Sequence, residues 1–423
     1  MQSEKDAMVV YPCSRLAGET SLQGAKNSVL PIMAAAVANR GVTVLYNCPE
    51  IADVYTMAAL LKECGCLVDF KNHVMTIDAK NADNGMFRSS DSTKMRASIL
   101  LMGSCLGRFG QFLMPSPGGC AIGKRPVNFH IDAMNSLGAT VCEKDGEVSG
   151  VVGQGGLTGG RIVFPFPSVG ATQNALLAAS CAVGGTELFN ASKEPEIWDL
   201  CDYLRMLGAD IQGERTGHIR IEPKSSYEKE IMYTVPADRI VAGTILTAVA
   251  GTTGNVYIDN IDCDRIECVI SLLKARADSS GRGVILNIDR RAELNCVVST
   301  GPFPEFPTDM QSVFLSLMAV SGGFCIVEEN IFDTRFNTAY ELNRLGADIR
   351  TEGRLAYIYG RRKLRGGIVT AGDLRGGAAL VVAGLFADEP VVVKQCHYIH
   401  RGYENLAGDL CRLGAVITEY MEE

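Results

Sequence analysis

The stretch LNRLGADIRTEG, residues 342–353, contains the end of an amphipathic helix, a glycine that stops it and the start of a β-branched strand. A helix that ends in the left-handed conformation favours glycine just after its last turn, because glycine has no Cβ to clash there. The same order of signals recurs five more times, at a spacing of about 70 residues. The other copies are LLKECGCLVDF (60–70), MNSLGATVCEKDG (134–146), LRMLGADIQGE (204–214), LLKARADSSGR (272–282) and LCRLGAVITEY (410–420).

Five of the six copies carry the stopping glycine, and in the fourth copy Arg276 stands roughly at its place. Four copies share a second part upstream, where a glycine leads through a strand into the start of a helix. Six units of strand, helix, glycine turn and strand are therefore predicted, three in each of two domains, which is an α/β architecture. The glycines are Gly65, Gly138, Gly208, Gly346 and Gly414, and the upstream segments are GVTVLYNCPEIADV (41–54), GTELFNASKEPEI (185–197), GNVYIDNIDCDRIE (254–267) and GGFCIVEENIFDTRF (322–336).

The composition is that of a globular protein too long for one ordinary core. A chain of 423 residues with 47% apolar residues predicts two domains. The formal net charge of −8 argues against a general nucleic-acid or membrane binder, so an anion site must be a local cluster of cations. Mixed charge near the N-terminus, short apolar runs and 15 cysteines predict a cytoplasmic protein with reduced thiols. Cys64-Gly-Cys66 is a poor metal pair, because its spacing is too short and no second pair follows.

The segment LQGAKNSVLPIMAAAVAN, residues 22–39, interrupts the repeat and is helical in composition. Lys26 and Asn27 stand at its start, where free backbone N–H groups together with a lysine make a good anion site. A solvated lysine beside an asparagine cap explains the pattern equally well. The sequence has neither a Walker motif nor a Rossmann glycine pattern, so nucleotide triphosphate hydrolysis has little support.

The segment SPGGCAIGKRP, residues 116–126, places a cysteine among glycines and cations. Lys124 and Arg125 favour the thiolate form of a nearby cysteine, and the glycines let the backbone approach a ligand closely. The context therefore predicts a reactive thiol at Cys120, whereas most of the other cysteines are expected to be inert.

The segment GPFPEFPTDMQSVF, residues 301–314, brings three prolines before a Thr-Asp pair. Asp309 is either the N-cap of a helix that begins near Met310 or a general base held on a rigid corner. Arginines stand at loop–helix junctions elsewhere, and several such cations in an acidic chain predict a ligand with more than one anionic group. They are Arg96 in TKMRAS, Arg335 in FDTRFN, Arg375 in GDLRGG and Arg401 in YIHRGYE.

Nine motifs occur in the order found in one family of transferases: GAKN, KMRAS, PGGCAIGKRPV, SVGAT, EPEI, FPTDMQ, TRF, DLRGGAALV and RGYE. In these motifs, over nearly the whole chain, the sequence resembles the UDP-N-acetylglucosamine 1-carboxyvinyltransferases, which are enolpyruvyl transferases. The resemblance implies a two-domain inside-out α/β barrel of six units, with substrates bound in a cleft. Residues 1–25 and 237–423 would form one domain, and residues 26–236 the other, which carries the Cys120 loop as a lid.

The resemblance also implies the reaction, an addition followed by an elimination. The 3-hydroxyl of UDP-N-acetylglucosamine attacks the central carbon of phosphoenolpyruvate while a proton adds to its methylene carbon, and phosphate then leaves. This chemistry needs cations for phosphate and carboxylate, an acid and a base, but no metal and no cofactor. The implied partners are these two small molecules, with no nucleic acid and no membrane insertion, in the first committed step of peptidoglycan synthesis.

By resemblance, each motif residue takes a role known in the family. Cys120 matches the lid cysteine, which is a candidate general acid, a covalent attachment point for phosphoenolpyruvate and the thiol that fosfomycin alkylates. Asp309 matches the base near the sugar hydroxyl, and Lys26 and Arg401 match groups around the phosphate. The other substrate-binding positions are Asn27 near the sugar hydroxyl, Arg96 in loop closure, Arg335 and Arg375 at the carboxylate, Arg125 at the phosphate and in the nucleotide-binding segments, Pro126, Val127, Asn128, Ser168, Val169 and Gly170 in those segments, and Ile331 as a further substrate contact.

Four positions depart from the family pattern near expected ligand positions. Asn128 replaces an aspartate that binds uracil, although an amide can still pair with an imide edge. Pro167 replaces a lysine, Val241 a glutamate, and His400 an aspartate beside Arg401. These changes leave two alternatives open, which are a paralogue that acts on a different nucleotide or nucleotide sugar, and a non-catalytic nucleotide-sugar binder.

Overall fold

The computed structural model describes residues 6–118, 126–224, 227–278, 280–291, 293–361 and 363–420. These residues fall into two compact units. Unit 1 contains residues 6–23 and 237–420, and unit 2 contains residues 24–118 and 126–236. The chain thus begins in unit 1, builds unit 2 and then completes unit 1.

Helices in the described residues belong to both units. Three short 3₁₀-helices cover Arg96–Leu100, Cys263–Arg265 and Cys396–Arg401. The α-helices of unit 2 are α1 Lys26–Ala36, α2 Ala52–Glu63, α3 Asp91–Lys94, α4 Leu101–Phe109, α5 Asn128–Ser136, α6 Val169–Ser180 and α7 Pro195–Leu207; those of unit 1 are α8 Arg239–Gly251, α9 Glu267–Leu273, α10 Thr308–Val320, α11 Asn337–Arg344, α12 Leu374–Leu385 and α13 Leu406–Arg412.

The strands form six separate sheets, three in each unit. In unit 2 they are β3 Val42–Tyr46, β4 Leu67–Lys71, β5 Val74–Asp78, β6 Gln111–Pro115, β7 Ala139–Lys144, β8 Glu147–Val152, β9 Gly160–Val163, β10 Thr186–Phe189, β11 Asp210–Gln212, β12 His218–Glu222 and β13 Glu230–Thr234. In unit 1 they are β1 Ala7–Val10, β2 Leu16–Thr20, β14 Gly254–Ile258, β15 Arg276–Ala277, β16 Val284–Ile288, β17 Cys296–Ser299, β18 Phe324–Glu328, β19 Ile349–Glu352, β20 Leu355–Tyr359, β21 Gly367–Thr370, β22 Val391–Lys394 and β23 Ile417–Tyr420.

Five of the sheets share one topology, in which a parallel pair is extended by two antiparallel strands. They are β13-β3-β5-β4, β9-β10-β12-β11, β2-β14-β16-β15, β17-β18-β20-β19 and β21-β22-β1-β23. The sixth, β6-β8-β7, keeps the antiparallel part, and its parallel partner is reduced to the bridge Met86↔Leu113. The predicted α/β class with six repeated units is therefore confirmed. All six sheets of the described residues are open.

Each unit is built around buried helices, with sheets and amphipathic helices outside them. In unit 1, α8 and α12 are buried along their whole length, which is typical of helices that are apolar on all sides. Gly243 of α8 lies against Met310 of α10, where a Cβ would come within 1.8 Å of the methionine side chain. In unit 2, α1, α4 and α6 hold the corresponding place. No helix of the described residues has the length and apolar character needed to cross a membrane.

The predicted glycine stops adopt the left-handed backbone that the sequence indicates. All five have positive φ, from 86° at Gly346 to 122° at Gly208. In the fourth copy of the repeat, the left-handed residue is Lys274, with φ of 56°, which follows the last residue of α9. The assignment of this place to Arg276 is wrong, because Arg276 already begins β15.

Candidate active site

Asp309 in unit 1 accepts a hydrogen bond from each of two arginines. The Nη2 atom of Arg335 lies 2.9 Å from Oδ1, and the Nη2 atom of Arg375 lies 2.9 Å from Oδ2. Asp309 lies in the first turn of α10, which begins at Thr308 after Pro307 at the N-cap position. The N-cap interpretation of Asp309 is therefore wrong. The predicted site residues Asp309, Arg335 and Arg375 form one group, called the charged cluster from here on.

The arginines of the charged cluster are buried, whereas its carboxylate is partly open. The side chains of Arg335 and Arg375 are 2% and 4% exposed, against 27% for Asp309. Two guanidinium groups and one carboxylate leave one positive charge in excess. The Nε atom of Arg335 and the Nη1 atom of Arg375 are also buried without a hydrogen-bond partner in the described part of the chain. Excess positive charge and buried unsatisfied donors suit the cluster to an anion.

Arg375 keeps its charge despite complete burial. Burial disfavours the charged guanidinium, but the Asp309 carboxylate and, less strongly, other groups that include Asp238 more than offset this, so the pKa of Arg375 lies above its ordinary value. Burial raises the pKa of the neighbouring Tyr403, whose hydroxyl lies 2.8 Å from Thr244 Oγ1. At neutral pH, Arg375 is therefore charged and the neighbouring Tyr403 is neutral.

Arg401 is half-buried at the end of a 3₁₀-helix. The next residue, Gly402, lies against Leu374, because a Cβ there would come within 2.7 Å of the leucine side chain. Leu374 precedes Arg375, so Arg401 lies near the start of α12. The Nε2 atom of Gln23 donates to the Gly402 carbonyl at 3.0 Å and fixes this segment.

Glu329 is a buried carboxylate that sequence reasoning missed. Its Oε1 accepts hydrogen bonds from the N–H groups of Ile331, at 2.9 Å, and Phe332, at 3.1 Å. The hydroxyl of Thr308 lies 3.0 Å from Oε1 and 2.9 Å from Oε2. The predicted contact residue Ile331 thus lies in a turn held by Glu329. The only signal in the sequence is a glutamate after a strand, which does not distinguish a buried acid from an exposed one.

In unit 2, Lys26 forms a buried ion pair with Asp53. The Lys26 Nζ atom lies 2.6 Å from Oδ2, and the two side chains are 11% and 6% exposed. Lys26 is the first residue of α1, and Ala25 holds the N-cap position. The solvated-lysine alternative is therefore wrong, and Asn27 is not the cap. Asp53 was missed because an aspartate in the first turn of a helix is usually an exposed partner of the helix dipole.

Arg96 contacts the chain on both sides of the segment that contains Cys120 and Arg125. Its Nη1 atom donates to the Pro117 carbonyl at 3.5 Å, and its Nη2 atom donates to the Pro126 carbonyl at 2.9 Å. Arg96 therefore ties the two flanks of this segment together. Cys120 and Arg125 themselves lie outside the described residues, and the role of Arg96 in loop closure stays a prediction.

One predicted nucleotide-binding position of unit 2, Gly170, lies beside the buried His130. Gly170 lies against the ring, where a Cβ would come within 3.2 Å of Cε1. The Nδ2 atom of Asn174 donates to His130 Nδ1 at 3.1 Å and to the Ile99 carbonyl at 2.9 Å, which assigns the imidazole proton to Nε2. Burial and, less strongly, the charge of Arg96 lower the pKa of His130 to about 3, so the ring is neutral at neutral pH.

The other predicted positions of unit 2 differ in exposure. Pro126 and Asn128, the first residue of α5, are exposed, whereas the Val127 side chain between them is buried. Ser168 caps α6 with its hydroxyl, and Val169 begins that helix; both are half-buried. These positions place polar and backbone groups at the starts of two helices.

The four positions that depart from the family pattern are not equivalent. Val241 is fully buried in the core of unit 1, where it packs within α8. Pro167 and His400 are half-buried next to predicted site residues, and Asn128 is exposed. Exposure therefore leaves the last three able to contact a ligand, whereas the side chain of Val241 has a packing role.

No metal site occurs among the histidine, cysteine and acidic side chains that the structure describes. Cys64 and Cys66 are buried in unit 2. Hydrogen bonding with Cys105 and then burial raise the pKa of Cys64, and hydrogen bonding with Cys64 and then burial raise the pKa of Cys66, so both are neutral thiols. Neutral buried thiols are typical of core residues.

Sequence comparisons place the chain among carboxyvinyltransferases. A profile of the family described as EPSP synthase (3-phosphoshikimate 1-carboxyvinyltransferase) matches residues 10–410. UDP-N-acetylglucosamine 1-carboxyvinyltransferase 2 of Caldanaerobacter subterraneus is 41% identical over 413 residues, covering 96% of this chain and 98% of its own. UDP-N-acetylglucosamine 1-carboxyvinyltransferase 1 of Halalkalibacterium halodurans is 40% identical over 424 residues, covering 99% and 95%.

Solved structures share the fold at lower sequence identity. The enolpyruvyl transferase NikO from Streptomyces tendae superposes with a TM-score of 0.88 at 22% identity, over 99% of this chain and 100% of its own. An EPSP synthase from Acinetobacter baumannii reaches a TM-score of 0.72 at 18% identity, over 98% of this chain and 99% of its own. At these identities the likeness concerns the fold alone.

Proposed function

Because the chain belongs to the UDP-N-acetylglucosamine 1-carboxyvinyltransferase family, we propose that it transfers the enolpyruvyl group of phosphoenolpyruvate to the 3-hydroxyl of UDP-N-acetylglucosamine. Inorganic phosphate is the second product, and the step opens peptidoglycan synthesis. The charged cluster carries this proposal, because phosphoenolpyruvate has two anionic groups. Two fixed guanidinium groups with buried free donors bind such groups without first reorganising.

The reaction forms a bond between the sugar oxygen and the central carbon of phosphoenolpyruvate, and the methylene carbon gains a proton. The tetrahedral intermediate then loses a proton from the methyl group formed in this way, together with phosphate, and the double bond is restored. Arg335 and Arg375 stabilise anionic groups throughout, whereas Lys26 and Arg401 are assigned to the phosphate by their motifs alone. The partly open Asp309 carboxylate accepts the hydroxyl proton, and Cys120 is assigned the acid role by its motif.

Helix starts add to this electrostatic design in both units. Lys26, Asp309 and Arg375 all stand in the first turn of a buried helix. The N-terminal end of a helix carries a partial positive charge and unpaired N–H groups, so it favours a nearby anion. The arrangement supports a substrate pair with several negative charges, namely phosphoenolpyruvate and a nucleotide diphosphate sugar.

Phosphate release with a panel of acceptors tests the proposal. The purified protein is mixed with phosphoenolpyruvate and either UDP-N-acetylglucosamine, shikimate 3-phosphate or no acceptor, with and without a chelator. We expect release only with the UDP-sugar and no effect of the chelator. Absence of release with the UDP-sugar, or release with shikimate 3-phosphate instead, contradicts the proposal.

Variants of Cys120 and Asn128 separate the chemistry from acceptor recognition. Cys120→Asp is expected to keep turnover and to resist fosfomycin, because a carboxylic acid donates a proton but is a poor target for an epoxide. Cys120→Ala can neither donate a proton nor react with an epoxide, so it is the matched control and should lose turnover. Asn128→Asp is expected to change KM for the UDP-sugar and to leave kcat within about threefold, since this exposed residue is assigned by its motif to nucleotide recognition and not to the chemical step.

A further inference from the structure

We infer that Glu329 is a positioning residue, whose buried carboxylate holds the helix start that carries Asp309 against the turn that leads to Arg335. The inference rests on the proposed function and adds to it a residue that touches no substrate. Glu329 is 1% exposed. In the part of the chain that the structure describes, its side chain is bound by neutral donors only, and no cation forms an ion pair with it.

Two parallel strands deliver the residues that Glu329 joins. The strands β17 and β18 pair in register, with Ser299 opposite Glu328 at their ends. The chain after β17 leads to Thr308 and α10, and the chain after β18 passes through Glu329 to Ile331. The Glu329 carboxylate bonds to both continuations, so it bridges the two chain segments immediately beyond the sheet.

The bridge closes a ring of contacts that includes the charged cluster. Glu329 holds Thr308, and the next residue, Asp309, accepts from Arg335. Arg335 in turn follows the turn at Ile331 that Glu329 fixes. Each part of the ring limits the movement of the others. The position of Asp309 relative to Arg335 is therefore set from two sides, by their own ion pair and by Glu329.

Joining two neutral segments through a buried glutamate costs free energy, so its use here needs a physical reason. Burying a carboxylate without a cation costs free energy, whereas hydrogen bonds to a charged acceptor are about twice as strong as neutral ones. Stronger bonds hold Thr308 and the Ile331 turn in a narrower range of positions. Small displacements of a reacting group lower turnover strongly, so this precision acts on catalysis more than on stability.

The chain provides a matched control one residue earlier. The Glu328 carboxylate accepts a hydrogen bond from the Ser299 hydroxyl at 2.8 Å. This pair repeats the hydroxyl–carboxylate bond of Thr308 and Glu329, but it links the strands themselves. The Ser299 hydroxyl also accepts from Asn330 Nδ2 at 2.8 Å, so only a Glu328 variant weakens the same kind of bond without releasing the start of α10 or the segment beside Glu329.

The test measures kcat, KM for both substrates and chemical unfolding for Glu329→Gln, Thr308→Val, the double variant and Thr308→Ser. Glu329→Gln and Thr308→Val are each expected to lower kcat about tenfold to a hundredfold, with KM changed less than about threefold. The double variant should be no slower than the slower single variant, because both remove one interaction. Thr308→Ser keeps the hydroxyl and should restore most of the turnover.

The control Glu328→Gln is expected to stay within about twofold of the parent in kcat. Equal effects of Glu329→Gln and Glu328→Gln on kcat, additive losses in the double variant, or a kcat loss in Thr308→Ser equal to that in Thr308→Val each overturn the inference. A parent that transfers no enolpyruvyl group to the UDP-sugar overturns the proposed function as well. Active parent enzyme with an unaffected Glu329→Gln variant overturns the positioning role alone.

Discussion

The candidate residues of both units stand at or near the starts of helices, but they are held in different ways. In unit 1, Asp309, Arg335 and Arg375 bond to one another, and their free donors are already in place. In unit 2, Lys26 pairs with Asp53, and Arg96 bonds to backbone carbonyls. Unit 1 therefore holds a preformed charge cluster, whereas unit 2 ties its cations to other parts of its chain. A lost side chain should cost more in unit 1.

The largest effect is expected from Asp309→Ala. The variant leaves two buried guanidinium groups without their carboxylate, and an uncompensated buried charge costs about 3–5 kcal/mol. Loss of the proposed base should also lower kcat by about 1000-fold. Asp309→Asn keeps the shape but also removes the negative charge, so it is the control for packing and should recover little of either the stability or the turnover. Phosphate release and urea unfolding measure both, and turnover of Asp309→Asn within tenfold of the parent contradicts the assignment.

A matched pair of arginine variants tests whether the two units differ as described. The Arg375 guanidinium binds Asp309 through Nη2 and keeps Nη1 free for a ligand. Arg375→Lys keeps the charge but has no planar guanidinium to do both, so kcat should fall about a hundredfold. Arg96→Lys loses one of two carbonyl contacts, and we expect a fall of about tenfold. Steady-state kinetics measure both. Equal losses, or a larger loss for Arg96→Lys, contradict the contrast between the units.

An intermediate effect concerns the loss of stability in acid, which the buried His130 causes in unit 2. Its pKa is about 3 in the folded chain and 6.5 when exposed, so the unfolded chain binds the extra proton between these values. Stability is therefore complete above pH 6.5 and falls on acidification by about 1.4 kcal/mol per pH unit. Arg375 in unit 1 stays charged throughout this range. Urea unfolding from pH 7 to pH 4.5 should show this slope in the parent relative to His130→Gln; parallel curves contradict it.

The smallest effect concerns the repeat itself. Lys274 holds the left-handed position that glycine holds in the other units, so Lys274→Gly should stabilise the chain by about 0.5–1 kcal/mol. The matched change Gly346→Ala places a Cβ on a left-handed residue and should destabilise by about 1 kcal/mol. Chemical unfolding measures both. The same sign for both variants contradicts the equivalence of the two positions.

The architecture was readable from the sequence because its signal is local and repeated. A glycine that ends a helix before a β-branched strand needs only a few neighbours, and the six sheets follow from six such signals. The fourth copy of the repeat shows the limit of this reasoning. Its helix ends at Leu273, so the left-handed position falls on Lys274 instead of Arg276. A missing glycine removes the marker that fixes the register.

The site was predictable only in part, because pairing over long sequence distances leaves little trace. Arg335 and Arg375 were predicted from their junction positions, and the structure adds that both bond to Asp309. Asp53 and Glu329 were missed, since a single acid at a helix start or after a strand is usually exposed. Their roles come from burial and from partners 27 and 21 residues away, which only the folded chain brings together.

The fate of the bridging oxygen of phosphoenolpyruvate tests enolpyruvyl transfer most directly. The substrate is labelled with heavy oxygen between carbon and phosphorus and is incubated with the protein and UDP-N-acetylglucosamine. Attack of the sugar oxygen on the central carbon leads to cleavage of the bond between that carbon and the labelled oxygen. The label should therefore appear in inorganic phosphate, and only when the UDP-sugar is present. The other product should be an unlabelled enolpyruvyl ether. Label retained in pyruvate, or phosphate released without the acceptor, contradicts the mechanism.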